Sequence, residues 1–248
     1  MPTCRLLPFS IADGPTNMAV DEVLLEMAAA DNLPSLRFYG WTQPTLSLGY
    51  FQPADVRLSD PLLGELPFVR RPSGGATLVH HHELTYALAL PPGMPWQNRG
   101  ESWIQRMHGD IRSALASIGI AVRVCCTGEE KKLGDVLCFL HQTPCDLLCG
   151  EHKVVGSAQR KQRGALLQHG AILQAQSPHT PLLQGLRELA GFTSDDSGRS
   201  RLLESLRTAF VADTGWNLES GDATPKERQR IRQLVEEKYA SRMWNFKR

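Results

Sequence analysis

Apolar residues recur at helical spacing through NMAVDEVLLEMAAA, residues 17–30. Thr16 or Asn17 suits an N-cap, and the pattern stops at Asp31-Asn32. The pattern predicts a first helix there. It then changes to short runs bounded by turn residues. SLRFYGW and TLSLGYF read as strands separated by Thr-Gln-Pro, and FVRR, TLVHH and LTYALAL follow around the turn PSGG. After the proline-rich break LPPGMPW, residues 102–118 return to helical spacing. A second set of strands is expected in AVRVCC, DVLCFL, DLLCG, KVVGSAQ and ALLQHGAIL, and three helical patterns close the chain at 181–190, 201–214 and 225–239. The expected fold class is therefore α/β (α+β), a mixed sheet flanked by helices.

The 248 residues are enough to bury a real core, and no internal repeat or linker divides them, so one catalytic-type domain over 1–248 is expected. Lys and Arg number 27 against 26 Asp and Glu, which gives no global attraction to nucleic acid or an anionic membrane. The opening MPTCRLLPFSIADGPTN lacks the features of a signal peptide, and no run approaches the ~20 apolar residues of a membrane span. A cytoplasmic protein is expected, with a monomer as the default.

Five of the six cysteines fall between Val124 and Gly150. Disulfides are not expected in a reducing compartment, and neighbours Cys125 and Cys126 cannot bridge each other without strain. A zinc site from Cys138, His141, Cys145 and Cys149 lacks any paired CxxC, so no metal is expected. Cys125, Cys126, Cys145 and Cys149 read instead as small buried hydrophobes. The turn at 70–75, Arg-Arg-Pro-Ser-Gly-Gly, suits close approach of backbone N–H groups to a ligand, although a plain tight turn explains it equally. Of His80, His81 and His82, only the first and last share a strand face, and two imidazoles do not make a metal site. Cys138 lies upstream of an isolated Lys153 in a segment punctuated by Gly and Gln. A thiol and an amine that can meet make a candidate acyl-transfer site.

RRPSGG followed by His80 and ELTYAL, then Cys138-Phe139 fifteen positions before Lys153 in KVVGSAQ, and finally LLQHGAIL, together resemble the lipoate/biotin protein ligase superfamily. The chain is most similar to its cysteine-dependent octanoyltransferase branch, from FYGW and GYFQ through to the closing KYASRMWNFKR. The resemblance implies the biotin/lipoate protein ligase catalytic-domain fold, a mixed sheet carrying a narrow apolar acyl tunnel. It also implies a reaction: octanoyl leaves the phosphopantetheine thioester of octanoyl-acyl carrier protein, rests on Cys138, and passes to a lysine of a lipoyl domain or glycine cleavage H protein. No cofactor and no ATP are implied, because thioester exchange is nearly thermoneutral and amide formation from a thioester runs downhill. A free thiol with a pKa of about 8.5 is only a few per cent ionised at neutral pH, so an ammonium beside it helps, and Lys153 takes that role. Arg71, Ser73, Gly74, Gly75 and His80 are implied as substrate-pocket residues. Gly156, Ser157 and Ala158 join them, and His169 is either part of the pocket wall or a satisfied core histidine. The chain departs from its relatives at Ala76-Thr77, where they carry a further Gly or Arg, and at His81, where they carry Asp. An ATP-dependent lipoate ligase using the same lysine, and an amidotransferase between lipoylated proteins, are the competing readings.

Overall fold

The computed structural model describes residues 2–93, 101–134 and 136–248. Met94, Pro95 and Trp96 of the proline-rich break, and Asp135 at the head of the expected 135–140 strand, lie outside the described residues. In chain order the strands are β1 (Thr3–Leu6), β2 (Ser10–Ala12), β3 (Ser35–Trp41), β4 (Thr45–Leu48), β5 (Phe68–Arg70), β6 (Leu78–His80), β7 (Glu83–Leu90), β8 (Arg123–Val124), β9 (Lys131–Lys132), β10 (His141–Gln142), β11 (Leu147–Cys149), β12 (His152–Gln162), β13 (Ala165–Leu173) and β14 (Asn217–Ser220). The helices are α1 (Gly14–Asp31), α2 (Pro61–Gly64), α3 (Trp103–Ser117), α4 (Leu186–Ala190), α5 (Asp196–Thr214), α6 (Pro225–Leu234) and α7 (Arg242–Asn245).

A mixed sheet in the order β14-β1-β3-β7-β13-β12-β11-β8, with β2 also on β3, forms the centre, and β5-β4-β6 make a small second sheet. The β14-β1-β3 edge is parallel and the strands from β3 to β8 are antiparallel. Strand β7 is buried on both faces, and its alternation sorts the two cores. Leu84, Tyr86, Leu88 and Leu90 join Met107 and Ile111 of α3 and Leu206 and Phe210 of α5. Ala87 and Ala89 point the other way, where their small side chains leave room for Leu24 and Leu25 of α1. Burial of each such leucine contributes about 1.5–3 kcal/mol, so both faces of the central strands are firmly covered.

Several boundaries differ from those expected, for local reasons. Helix α1 begins earlier, capped by Asp13, whose carboxylate accepts the Thr16 N–H at 2.9 Å, because Pro15 fits the first turn, where an N–H is not needed. Asn17 is no cap; its amide donates to Ala12 O and Gly40 O and ties α1 to β3. The expected strand at 135–140 is a 3-10 turn at Cys138–Leu140, and of 181–190 only α4 is helical. Helix α5 starts at Asp196 rather than 201, and α6 passes into a π turn at Val235–Tyr239. Cys126 is exposed and Cys145 only half-buried, in a turn with φ 77°, so neither is the buried strand cysteine expected. Cys125 and Cys149 are buried, and burial pushes their thiols up. Among the described residues no helix is long and apolar enough to cross a membrane, and no group of three or more His, Cys, Asp or Glu is placed to hold a metal.

Between α3 and α5, burial and then repulsion from Asp213 push the Asp110 carboxyl up to about 8, against the pull of Arg106. Its Oδ2 has no hydrogen-bond partner. The native state therefore holds a proton that the unfolded chain, with an ordinary value of 3.8, releases earlier. The stabilising contribution is complete below about pH 4 and is lost as pH rises through about 8. The melting temperature of wild type relative to Asp110→Asn should thus fall between pH 5 and 8 and level off above. A pH-independent difference in thermal melts contradicts this assignment.

Candidate active site

The pocket opens on the α1 side of the main sheet, beneath the small sheet, and holds about 540 Å3 of space with its mouth included. Alternation along paired strands sets its wall. Gly156 stands opposite Ala171 and Ala158 opposite His169, so small side chains on β12 and β13 face the cavity together. Met18 and Tyr39 line it, and the turn between β5 and β6 contributes Arg71 and Gly75. Cys138 completes the lining, at the start of its 3-10 turn with its N–H donated to Thr77 O at 2.7 Å.

Lys153 reaches this side of the sheet through a bulge. Leu147 pairs with Val155 but Leu148 pairs with Lys153, so Val154 is an extra residue on β12. Val154 and Val155 both enter the core against α3 and α5, and Lys153 is turned onto the face of Gly156. There its Nζ lies 2.7 Å from Asp146 Oδ2, 3.0 Å from His141 O and 5.4 Å from the centre of the Phe139 ring. Asp146 also accepts the Thr143 N–H and hydroxyl, at 2.8 and 3.0 Å. Both partners of this pair are buried.

Asp146 is a residue that the sequence reading missed. A signal was present: a single acid heads the apolar run CDLLCG, one hairpin away from a lysine whose burial demands a partner. His108 was missed as well. Burial keeps its imidazole neutral, and its Nδ1–H donates to Cys145 O at 2.5 Å, leaving Nε2 to accept the Ser157 hydroxyl at 2.6 Å. Ser157 then accepts from Tyr86, which accepts from Gln168. Ser157 lines the pocket, but its hydroxyl is committed behind the sheet, where this chain anchors the turn that carries Asp146.

The turn at 71–77 is held through its carbonyls. Arg71 donates to Gly74 O, Ala76 O and Ser47 O, while Ser73 O accepts the Tyr50 N–H and Thr77 O the Cys138 N–H. Gly75 has φ 95° and its carbonyl sits 1.9 Å from where a Cβ on Gly49 would stand, so both positions need glycine. Burial pushes the Arg71 guanidinium down, with Cys138 opposing that, and both residues line the same cavity. The sequence reading gave the role of thiolate-stabilising cation to Lys153, and that lysine pairs with Asp146.

His80 and His169 support the walls. His80 stacks on Trp41 at 3.7 Å, and burial keeps it neutral, with Nδ1–H donating to Glu83 and Nε2 accepting from Ser47. His169 lies between Ser73, 2.5 Å from its Nε2, and Asp21, 3.0 Å from its Nδ1. Burial works against ionising Asp21, but Arg37 and then His169 outweigh it and hold the carboxyl below its ordinary value. The order Ser-His-Asp is that of a hydrolytic triad, yet Ser73 is only 1% exposed, and it is the Cys138 thiol that lines the cavity. Gly74 sits beside Phe51 at the pocket's rim.

The chain that builds this mixed sheet and its apolar cavity matches, over residues 13–186, the family model described as the lipoyl protein ligase A/B catalytic domain, and it belongs to that family. Within it, the chain is 34% identical to Octanoyltransferase LipM of Carboxydothermus hydrogenoformans and 33% to that of Kyrpidia tusciae, with all of each chain covered. Among solved structures it is similar to lipoate-protein ligase A bound with ATP (TM-score 0.77, 22% identity, 99% of each chain covered). A putative lipoate protein ligase from T. acidophilum gives TM-score 0.76 at 21% identity, with all of each chain covered. These two establish the fold.

A Cβ on Gly156 would fall 2.5 Å from Lys153 Cε and 2.9 Å from its Nζ. The displaced atoms are the end of one side chain rather than backbone, so Gly156→Ala should still fold, with thermal stability lowered by the shift of the buried Lys153–Asp146 pair. It should lower acyl-transfer turnover about 100-fold by moving the ammonium. Turnover within a few-fold of wild type, measured on folded protein, contradicts the placement of Lys153.

Proposed function

We propose that this protein is an octanoyltransferase of lipoate biosynthesis. It takes octanoyl from octanoyl-acyl carrier protein onto Cys138 and passes it to a lysine of a lipoyl domain or the glycine cleavage H protein. The observation that carries this reading is full-length similarity to proteins named Octanoyltransferase LipM, combined with a cysteine on the wall of an apolar pocket. In this reading the protein acts as a monomer in the cytoplasm, with no nucleotide, nucleic acid or membrane involved.

The chemistry balances without a cofactor. The Cys138 thiolate, favoured by the Arg71 guanidinium, attacks the donor thioester carbon. The carbon–sulfur bond to pantetheine breaks, and the departing thiolate takes a proton from the Lys153 ammonium. The acceptor's neutral amine then attacks the octanoyl-Cys138 thioester and expels the Cys138 thiolate, and the nitrogen returns its proton to Lys153. Asp146 stabilises the ammonium at both ends of the cycle and holds the nitrogen in place. The Gly74–Gly75 turn, braced through its carbonyls beside the pocket, is a candidate for holding the tetrahedral oxyanion through its amides.

Mixing the protein with octanoyl-acyl carrier protein in the absence of ATP should give a hydroxylamine-labile octanoyl adduct in intact-protein mass spectrometry, and Cys138→Ala should abolish it. Activation of free octanoate only when ATP is supplied, with no such adduct, overturns the transferase reading in favour of an adenylate-forming ligase.

A further inference from the structure

A basic and aromatic surface borders the pocket mouth, built from three segments far apart in sequence. The Tyr50-Phe51 turn follows β4, and the Phe51 ring stands 3.9 Å from where a Cβ on Gly74 would be, so it adjoins the pocket-lining Gly75. Phe51 is 68% exposed, a large apolar ring left in solvent beside a cleft. Lys247 lies 3.2 Å from the centre of the Tyr50 ring and 3.7 Å from that of Trp244. Arg248 stands 5.4 Å from Phe51 and Arg160 5.7 Å from Tyr50. Arg160 lies two positions beyond Ala158, on the strand face that lines the cavity.

This surface is held rigidly. Arg70 donates to Gly49 O, Gln52 O and Asn245 O, Trp244 donates to Arg70 O, and the Ala54 N–H donates to Arg248 O. The buried Arg70 is thus satisfied by carbonyls and adds a further positive charge. The Tyr50 phenol is pulled below its ordinary value by Lys247 first, with Arg160 and Arg248 adding to it, as expected where positive potential concentrates. Formal net charge over the chain is only +1, so the concentration is local rather than a consequence of overall basicity.

We infer that this rim is the docking surface for an acidic acyl carrier domain, whose acidic side chains meet Arg160, Lys247 and Arg248 while Phe51 packs on its apolar surface. The inference rests on the acyl-transfer reading above and names the face through which the donor approaches. Charge selects the donor over the acceptor. A carrier's arm is attached by a phosphodiester, an anion that a cationic rim attracts, whereas the acceptor presents a lysine that it repels.

The test compares Arg160→Glu, Lys247→Glu and their double variant, with Arg160→Gln and Lys247→Gln as milder changes, each placed both on active protein and on Cys138→Ala. Binding of octanoyl-acyl carrier protein to the Cys138→Ala background should weaken about tenfold or more in the double reversal and weaken with added salt. Acylation of Cys138 by octanoyl-pantetheine, a donor with no protein attached, should stay within about twofold. Equal losses with both donors, unaltered carrier binding, or a loss confined to lipoyl-domain binding would each overturn the docking surface. Carrier binding that follows the charges with no acylation of Cys138 supports the surface and sinks the transferase reading. Acylation by octanoyl-pantetheine with no carrier binding does the reverse.

Discussion

Lys153 is a buried ammonium, and the neighbourhood of the pocket is arranged around the carboxylate of Asp146 that lies 2.7 Å away. Taking both charges out of water costs several kcal/mol per ion before their attraction is counted. Such a pair is poor value as a source of stability and is better understood as a positioning device. The bulge at Val154 turns the lysine to the cavity side, and the Thr143 to Asp146 turn, anchored by His108 on the Cys145 carbonyl, brings the acid to meet it. Each device alone leaves the other group buried and unpaired.

On the opposite wall the logic is similar but uses no carboxylate. Arg71 is buried among carbonyls of the turn it braces, and it lines the same cavity as Cys138. In the proposed reaction the two cations divide two tasks: Arg71 favours the thiolate, and Lys153 moves the proton. A site in which one cation did both would have to release its hold on the sulfur in order to titrate against the incoming amine.

The sheet was legible in the sequence because its central strands β3, β7 and β13 are short, mostly apolar runs bounded by turn residues. Cys138 and Lys153 were legible because a thiol and an amine stand out against a motif-bearing background. Shorter features were not. β1, β2 and β14 are brief strands at one side of the sheet with little periodicity, and their pairing comes from tertiary contacts rather than from their own residues. The bulge at Val154 escapes any period-of-two reading, since it places two successive valines on one face, and Asp146 is recognised as the partner only once that register is known. Arg71 was picked out as a pocket residue, but its link to Cys138 depends on a turn fold that spacing does not specify. His81, one of the departures from the relatives' pattern, leaves the pocket altogether: its ring stacks on His82, away from Trp41 and His80.

The division of labour between the two cations is tested most directly by single-turnover kinetics of the two half-reactions in Lys153→Met. Acylation of Cys138 by octanoyl-acyl carrier protein should slow no more than about tenfold, because a thiolate leaves without obligatory protonation, while transfer from acyl-enzyme to the acceptor amine should fall by about 10²–10⁴. Equal loss in both half-reactions would contradict the account and give Lys153 the part in generating the thiolate that the proposed reaction assigns to Arg71.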